Sequence, residues 1–319
     1  MLATALRLVV SSVVLCLATV SADCTLVQGK AATGLEAGKR WHVQNVILAN
    51  DLVSYTLRTE YFEDPDQTGR ILPKKWAPTM GYTPLGIAAP SMALWYNQGF
   101  MHWTFDDLNL RDFQPRMRVI RKFGADAVVE YSWDTPKAKV TMRFGVVQGN
   151  DKLVLLARWQ PKTEIKTVKL RLQAYPATFS KPHNRRATKA LSTREKGSAQ
   201  LDLAKEKWVL LEDITEDRPS AGSAGLLLGD TTAFSKATLA SIGGYAEHVD
   251  FVLAPGRTSL ALAFYELAEH PDYKQTRTHF RAGGDAESAS LARLLAADWD
   301  QPWSLPTGNP HRRRGRPQS

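Results

Sequence analysis

One feature constrains this chain above all others: strand-period alternation between residues 115 and 175, broken only by short turns. Met117, Val119 and Phe123 alternate with Arg116, Arg118 and Lys122. After "FGAD", the residues Ala127, Val129, Tyr131 and Trp133 share one face, and after "DTPKA" so do Val140, Met142, Phe144 and Val146. "QGND" leads into Leu153, Leu155, Ala157 and Trp159, and Val168, Leu170, Leu172 and Ala174 follow. Strands joined so closely cannot be parallel, because a parallel crossover needs a dozen or more residues. The spacing therefore predicts an antiparallel meander with one packed face and one wet face, and it disfavours α/β architectures.

The same alternation appears at 53–61, where Val53, Tyr55, Leu57, Thr59 and Tyr61 share a face. A second set of strands is expected at 207–213, 224–230, 245–254 and 258–267, with "PGR" as a hairpin turn. Both faces of several of these are apolar, which predicts strands covered on two sides; two sheets packed face to face explain both patterns. Between the sets lies a polar, basic excursion at 176–205. Thirty unstructured residues are uncommon in a compact domain, so it reads either as hiding a hairpin around "EKGS" or as a long functional loop. A single helix is predicted at 285–299, capped by Asp285, with Leu291, Leu294 and Leu295 on one face. The expectation is an all-β chain: a large antiparallel β-sandwich of two packed sheets over 41–303, ending in a short C-terminal α-helix. A flexible segment at 23–40 would precede it.

The chain has 319 residues and starts with a 13-residue apolar run, Leu8–Val20, that ends at Val20-Ser21-Ala22. That run is short of the roughly 20 residues a membrane span needs, and small residues follow it where a leader is cut. A secretory signal at 1–22 is expected, hence a secreted or periplasmic protein without a transmembrane span after cleavage. Only Cys24 of the two cysteines then remains, so no internal disulfide forms; this argues against a small cross-linked scaffold. The core must be held by burial, which a chain of this size supports, at roughly 75% of its unfolded surface. Cys24 itself reads as a flexible terminal residue without a role.

Lysine and arginine total 41 against 32 acidic residues. Arg7 lies in the leader and Arg312, Arg313, Arg314 and Arg316 lie in the last residues, so the folded body stays near +4. The basic excess is mainly a tail effect, the tail 304–319 is expected to be disordered, and no nucleic-acid partner is expected.

The chemistry-bearing residues are scattered. "ALWYNQGFMHWTFDDLN", 93–109, mixes aromatics with polar groups. If 100–106 is a strand, Trp103 faces the core while His102 and Asp106 share the other face, about 13 Å apart. That distance rules out a His–Asp pair on one regular strand. Tyr96, Asn97, His102 and Asp106 are the candidate saccharide contacts, because aromatic faces stack on sugars and flanking polar groups orient them. "DDLNLRD" offers oxygen donors at calcium-like spacing, but Arg111 falls where the loop pattern needs a ligand, and no metal or other cofactor is expected. His248 and Asp250 share a strand face about 7 Å apart and, with Glu130, are the acid/base candidates. Arg185 and Arg186 in the basic excursion are candidates for an anionic polymer, since arginine forks bind carboxylates and sulfates bidentately. No nucleophile elbow, phosphate loop or zinc spacing is present. In outline only, the strand pattern resembles the large sandwiches of carbohydrate-active proteins, galactose-mutarotase-like domains among them, and no residue role is carried over from them. The leading reading is an exported protein that binds a carbohydrate or cell-envelope polymer. A saccharide-active enzyme of mutarotase, hydrolase or lyase type, or a non-enzymatic structural envelope protein, stays open beside it.

Overall fold

A computed structural model of the protein describes residues 23–73, 85–88, 100–174, 184–187, 192–194, 198–213, 223–242, 246–267 and 273–308. The described chain forms three antiparallel sheets, of nine, six and seven strands, and one helix, Tyr273–Ala296. The all-β, sandwich-like architecture is the expected one. A third sheet joins the two that the sequence predicts.

The predicted meander forms one end of the nine-stranded sheet, in the order Arg116–Arg121, Asp126–Asp134, Ala138–Val147, Leu153–Pro161. The sheet continues through Ser259–Leu267, Ser223–Leu228 and Trp208–Asp213 to the short hairpin Asn184–Ala187 and Ser192–Arg194. Val168–Ala174 leaves the meander and becomes a middle strand of the six-stranded sheet, between Ala246–Leu253 and Met101–Phe105. These two sheets pack face to face through large aromatics. Trp103 stacks edgewise on Trp159 at 5.6 Å between ring centres, and Phe100 meets Phe264 at 5.1 Å. Each fully buried side chain of this kind stabilises the fold by roughly 1.5–3 kcal/mol. Phe100, Trp103 and Phe105 are all buried, so the described aromatics of 93–109 are core.

The seven-stranded sheet corrects the expectation of a flexible 23–40. Cys24–Gln28 and Ala32–Glu36 both pair with Lys39–Ala49, and Cys24 and Leu26 are buried in the main core. Burial, followed by the charges of Asp126, Asp51 and Asp23, pushes the Cys24 thiol up to about 12, so it is an inert core residue rather than a nucleophile. This sheet is tied to the nine-stranded one by Asn50, whose side-chain amide donates to the carbonyls of Val147 and Asn150 at 2.7 and 2.6 Å. The basic excursion is not one loop. Asn184–Ala187 pairs antiparallel with Ser192–Arg194, and Ser198–Gln200 joins the six-stranded sheet.

The strands with two apolar faces are covered as predicted, by the core on one side and the helix on the other. Leu226, Leu262 and Phe264 sit in the main core, while Leu227, Ala261 and Ala263 sit under the helix with Phe280, Leu291 and Leu294. The helix starts at Tyr273, twelve residues before the predicted cap. The helix runs through Gly283-Gly284, where a bare backbone is needed: a Cβ on Gly284 would lie 2.6 Å from the Trp208 ring. Gly284→Ala is expected to destabilise the protein by about 1–3 kcal/mol in a urea titration, since overpacking outweighs the gain in helix propensity. Among the described residues no helix is long and apolar enough to cross a membrane.

The first part of the predicted disordered tail is docked. Trp303 is buried, Asn150 donates to the Pro306 carbonyl at 2.8 Å, and the Gly308 amide donates to Gly149 at 2.8 Å.

Candidate functional site

Three of the sequence candidates converge. Strand register places His102 opposite Arg171 and Arg171 opposite Asp250, with Gln173 opposite His248. All five lie on the outward face of the six-stranded sheet, because their neighbours Trp103, Leu170, Leu172 and Val249 face the core. Asp250 does not pair with His248. Its carboxylate takes a bidentate contact from Arg171, at 2.6 and 3.0 Å. A His102 ring nitrogen lies 2.8 Å from the Gln173 amide oxygen, so that nitrogen carries the proton. Burial lowers the His102 ring to about 4, with Arg111, Arg171 and His248 adding to the effect. Burial, then Arg171, lowers His248 to about 4. Both imidazoles are therefore neutral at pH 7. His248 Nδ1 is buried without a hydrogen-bond partner among the described residues. The result is a row of neutral donors and acceptors beside a closed ion pair, which is not a poised acid/base couple.

The other candidates land elsewhere. Glu130 faces away from the core on the outer side of the nine-stranded sheet, so the whole sandwich separates it from His248. It is consumed by Arg143 at 2.8 Å and Arg118 at 3.0 Å. Asp106 has a positive φ of 52° and accepts from the Lys166 and Thr167 amides at 3.0 and 2.8 Å. Its other oxygen lies 3.1 Å from Lys137 Nζ, which also reaches Asp107 at 2.5 Å. The lysine ammonium thus sits between the two carboxylates of the stretch whose oxygen donors have calcium-like spacing. Arg185 and Arg186 sit on the hairpin at the edge of the nine-stranded sheet, opposite Glu212 and Leu211. Tyr96 and Asn97 lie outside the described residues.

A cleft that the sequence did not single out opens on the outer face of the nine-stranded sheet, with a volume of about 620 Å³. Its floor is laid by register: Thr141, Arg158 and Ser259 stand opposite one another on three adjacent strands, with Lys139 opposite Gln160 on the next row. Its wall is the end of the helix and the turn after it, including Asp298 and Trp299. Trp299 is held by its indole N–H donating to Leu295 at 3.1 Å, and the Arg158 guanidinium lies 4.8 Å from its ring centre. Arg143 approaches the same ring at 6.0 Å. Stacking of this kind fixes a guanidinium plane while leaving its N–H edge free for a planar anion. Neither Lys139 nor Arg158 makes an ion pair among the described residues, and Arg143 next to them is closed by Glu130 and Asp300 at 2.8 Å each. Two cations without a direct carboxylate contact among the described residues thus stand on one floor among hydroxyl and amide groups, with Asp134 opposite Lys139 and Asp298 in the wall. The polar face of the meander marks Lys139 and Arg158 as outward-facing in sequence. Their meeting with Ser259 and Trp299 needs pairings across a hundred residues, which sequence alone does not give.

A separate polar set lies under the helix. Lys152 is fully buried, with Nζ 2.7 Å from both Asp151 and Glu287 and 5.7 and 5.5 Å from the Tyr265 and Phe280 ring centres. Burial would lower its pKa, but the Asp151 and Glu287 charges outweigh that and hold it above the usual lysine value. Glu287 belongs to the helix, so this set pins the helix, and with it the cleft wall, to the sheet.

No protein-family model matches the sequence, and no curated protein matches it. Several solved structures align with most of this chain at low similarity. The GH36 α-galactosidase AgaB from Geobacillus stearothermophilus is 10% identical over 75% of this chain and 41% of its own, with a TM-score of 0.38. The galactosidase domain of the α-galactosidase-sucrose kinase AgaSK is 11% identical over 78% of this chain and 44% of its own, TM-score 0.40. A TPR-domain containing protein from Parabacteroides distasonis is 8% identical over 79% of this chain and 56% of its own, TM-score 0.42. The chain spans about half the length of these proteins or less. Likeness at this level says nothing of activity.

Proposed function

We propose that the protein is exported and binds an acidic saccharide of the cell envelope in the cleft on the nine-stranded sheet. One observation carries this reading: Lys139 and Arg158 stand together in a concave site of about 620 Å³, and neither makes a direct ion pair among the described residues. Like charges side by side repel, and a bound anion removes that cost. The surrounding groups choose the kind of anion. Thr141, Thr258, Ser259 and Gln160 offer hydroxyl and amide partners, and Asp298 accepts from hydroxyls while repelling a contiguous phosphodiester. The Trp299 face is occupied by Arg158, so base stacking, on which single-stranded nucleic acid binding depends, has no platform here. The apolar leader supports export.

The test is calorimetric titration with carboxylated and sulfated oligosaccharides, namely oligogalacturonate and heparin fragments, and with neutral cello-oligosaccharide as control. Charge-assisted hydrogen bonds at exposed sites contribute about 1–2 kcal/mol each. The Lys139→Gln/Arg158→Gln double variant is therefore expected to bind the acidic ligand roughly 10–1000-fold more weakly, with an unchanged melting temperature. Unaltered affinity in that variant, or no affinity of the wild type for either acidic ligand, rejects the cleft.

A further inference from the structure

We infer that the ligand is a polymer crossing the strands of the nine-stranded sheet, and that Arg116 and Arg118 at the sheet edge hold a second anionic group of it. This inference rests on the cleft reading above. The strand register makes one continuous polar row. Ser259 stands opposite Arg158, Arg158 opposite Thr141, Thr141 opposite Ser132, and Ser132 opposite Arg116. Residues in register share a face, so this row lies across five strands on the outside of the sheet. Every member is exposed or half-buried. From Arg158 to Arg116 there are three strand intervals, or about 14 Å.

The row has cations at both ends and hydroxyls between them. At the edge, Arg116 makes no ion pair among the described residues. Arg118 on the same strand gives one contact to Glu130 at 3.0 Å and keeps 66% of its side chain in solvent. Asp134, two residues along the strand from Ser132, is hydrogen-bonded by Lys162. Edge strands often carry charge to block pairing with other chains. That role needs charge only on the edge strand, whereas here the polar row continues inward and meets two more cations, Lys139 and Arg158, neither of which makes a direct ion pair among the described residues. Two anion-binding ends bridged by hydroxyl partners match a chain with spaced anionic groups on a hydroxyl-rich backbone. A lone acidic sugar would use only one end.

Titration of oligogalacturonates of two and six units, with the matching heparin fragments in parallel, tests this on the whole protein. In the wild type the hexamer is expected to bind at least tenfold tighter than the dimer. In Arg116→Gln/Arg118→Gln the hexamer should fall to the dimer's affinity while the dimer is unaffected, which also shows that the variant is folded. Equal affinity of dimer and hexamer in the wild type, or an unchanged ratio in the edge variant, overturns the extended path and leaves the cleft standing. Failure of both lengths to bind the wild type overturns the cleft and the path with it.

Discussion

Lys152→Met will destabilise the protein by about 3–5 kcal/mol, one of the largest single-residue effects expected in this chain. The ammonium is sealed between Asp151 and Glu287, and both carboxylates are buried. Methionine fills most of the space, but it removes the ammonium that both carboxylates contact at 2.7 Å, and removing one partner of a buried ion set costs that much. The chemistry of the set, rather than its packing, drives the loss. Lys152→Met/Asp151→Asn/Glu287→Gln should therefore recover most of it, because a neutral set carries no desolvated charge. Urea titrations at pH 7 measure both. A loss below 1 kcal/mol in the single variant would mean that water reaches the cluster and that the helix is held by its apolar face alone.

The second large effect is acid sensitivity above the range where carboxylates titrate. His102 and His248 are both lowered from 6.5 to about 4 by burial, with neighbouring arginines contributing. Between those values the unfolded chain takes up protons at the two rings and the folded chain does not. Their contribution is fully present above pH 6.5 and is lost as the pH falls towards 4. A shift of this size corresponds to about 3 kcal/mol for each ring. Carboxylates held low by their partners, such as Asp106 by the Thr167 amide and then Lys137, and Asp134 by Lys162, lose their contribution only at lower pH. Denaturant midpoints from pH 7 to 4.5 should therefore drop steeply, and His248→Gln should remove about half of that dependence. A midpoint that stays level over this range would show that the rings are hydrated and titrate normally.

The sequence reveals a good deal of this fold because the meander carries its own evidence. Period-two alternation and short turns fix which faces of 126–134, 138–147 and 153–161 are buried, and the structure buries Val129, Tyr131, Val140, Met142, Phe144 and Leu155 accordingly. It misleads where local signals oppose tertiary packing. Cys24–Gln28 is short and follows the expected leader, so it reads as a loose end, yet its pairing with Lys39–Ala49 is what orders it. The first twelve residues of the helix lie ahead of the start expected at Asp285, and Gly284 there offers the bare surface that packs against Trp208. Site residues were legible only as outward-facing positions. His102, Arg171 and Asp250 are brought together by pairings between segments about 70 to 80 residues apart. No local pattern foretells such pairings, nor the approach of Trp299 to Arg158.

Soaking a crystal with a sulfated or carboxylated hexasaccharide tests the central claim most directly. The account predicts an anionic group within hydrogen-bond reach of the Arg158 guanidinium and Lys139 Nζ, with the chain leading across Thr141 and Ser132 towards Arg116. Ligand density on the His102–Gln173–His248 face with the cleft empty would contradict it.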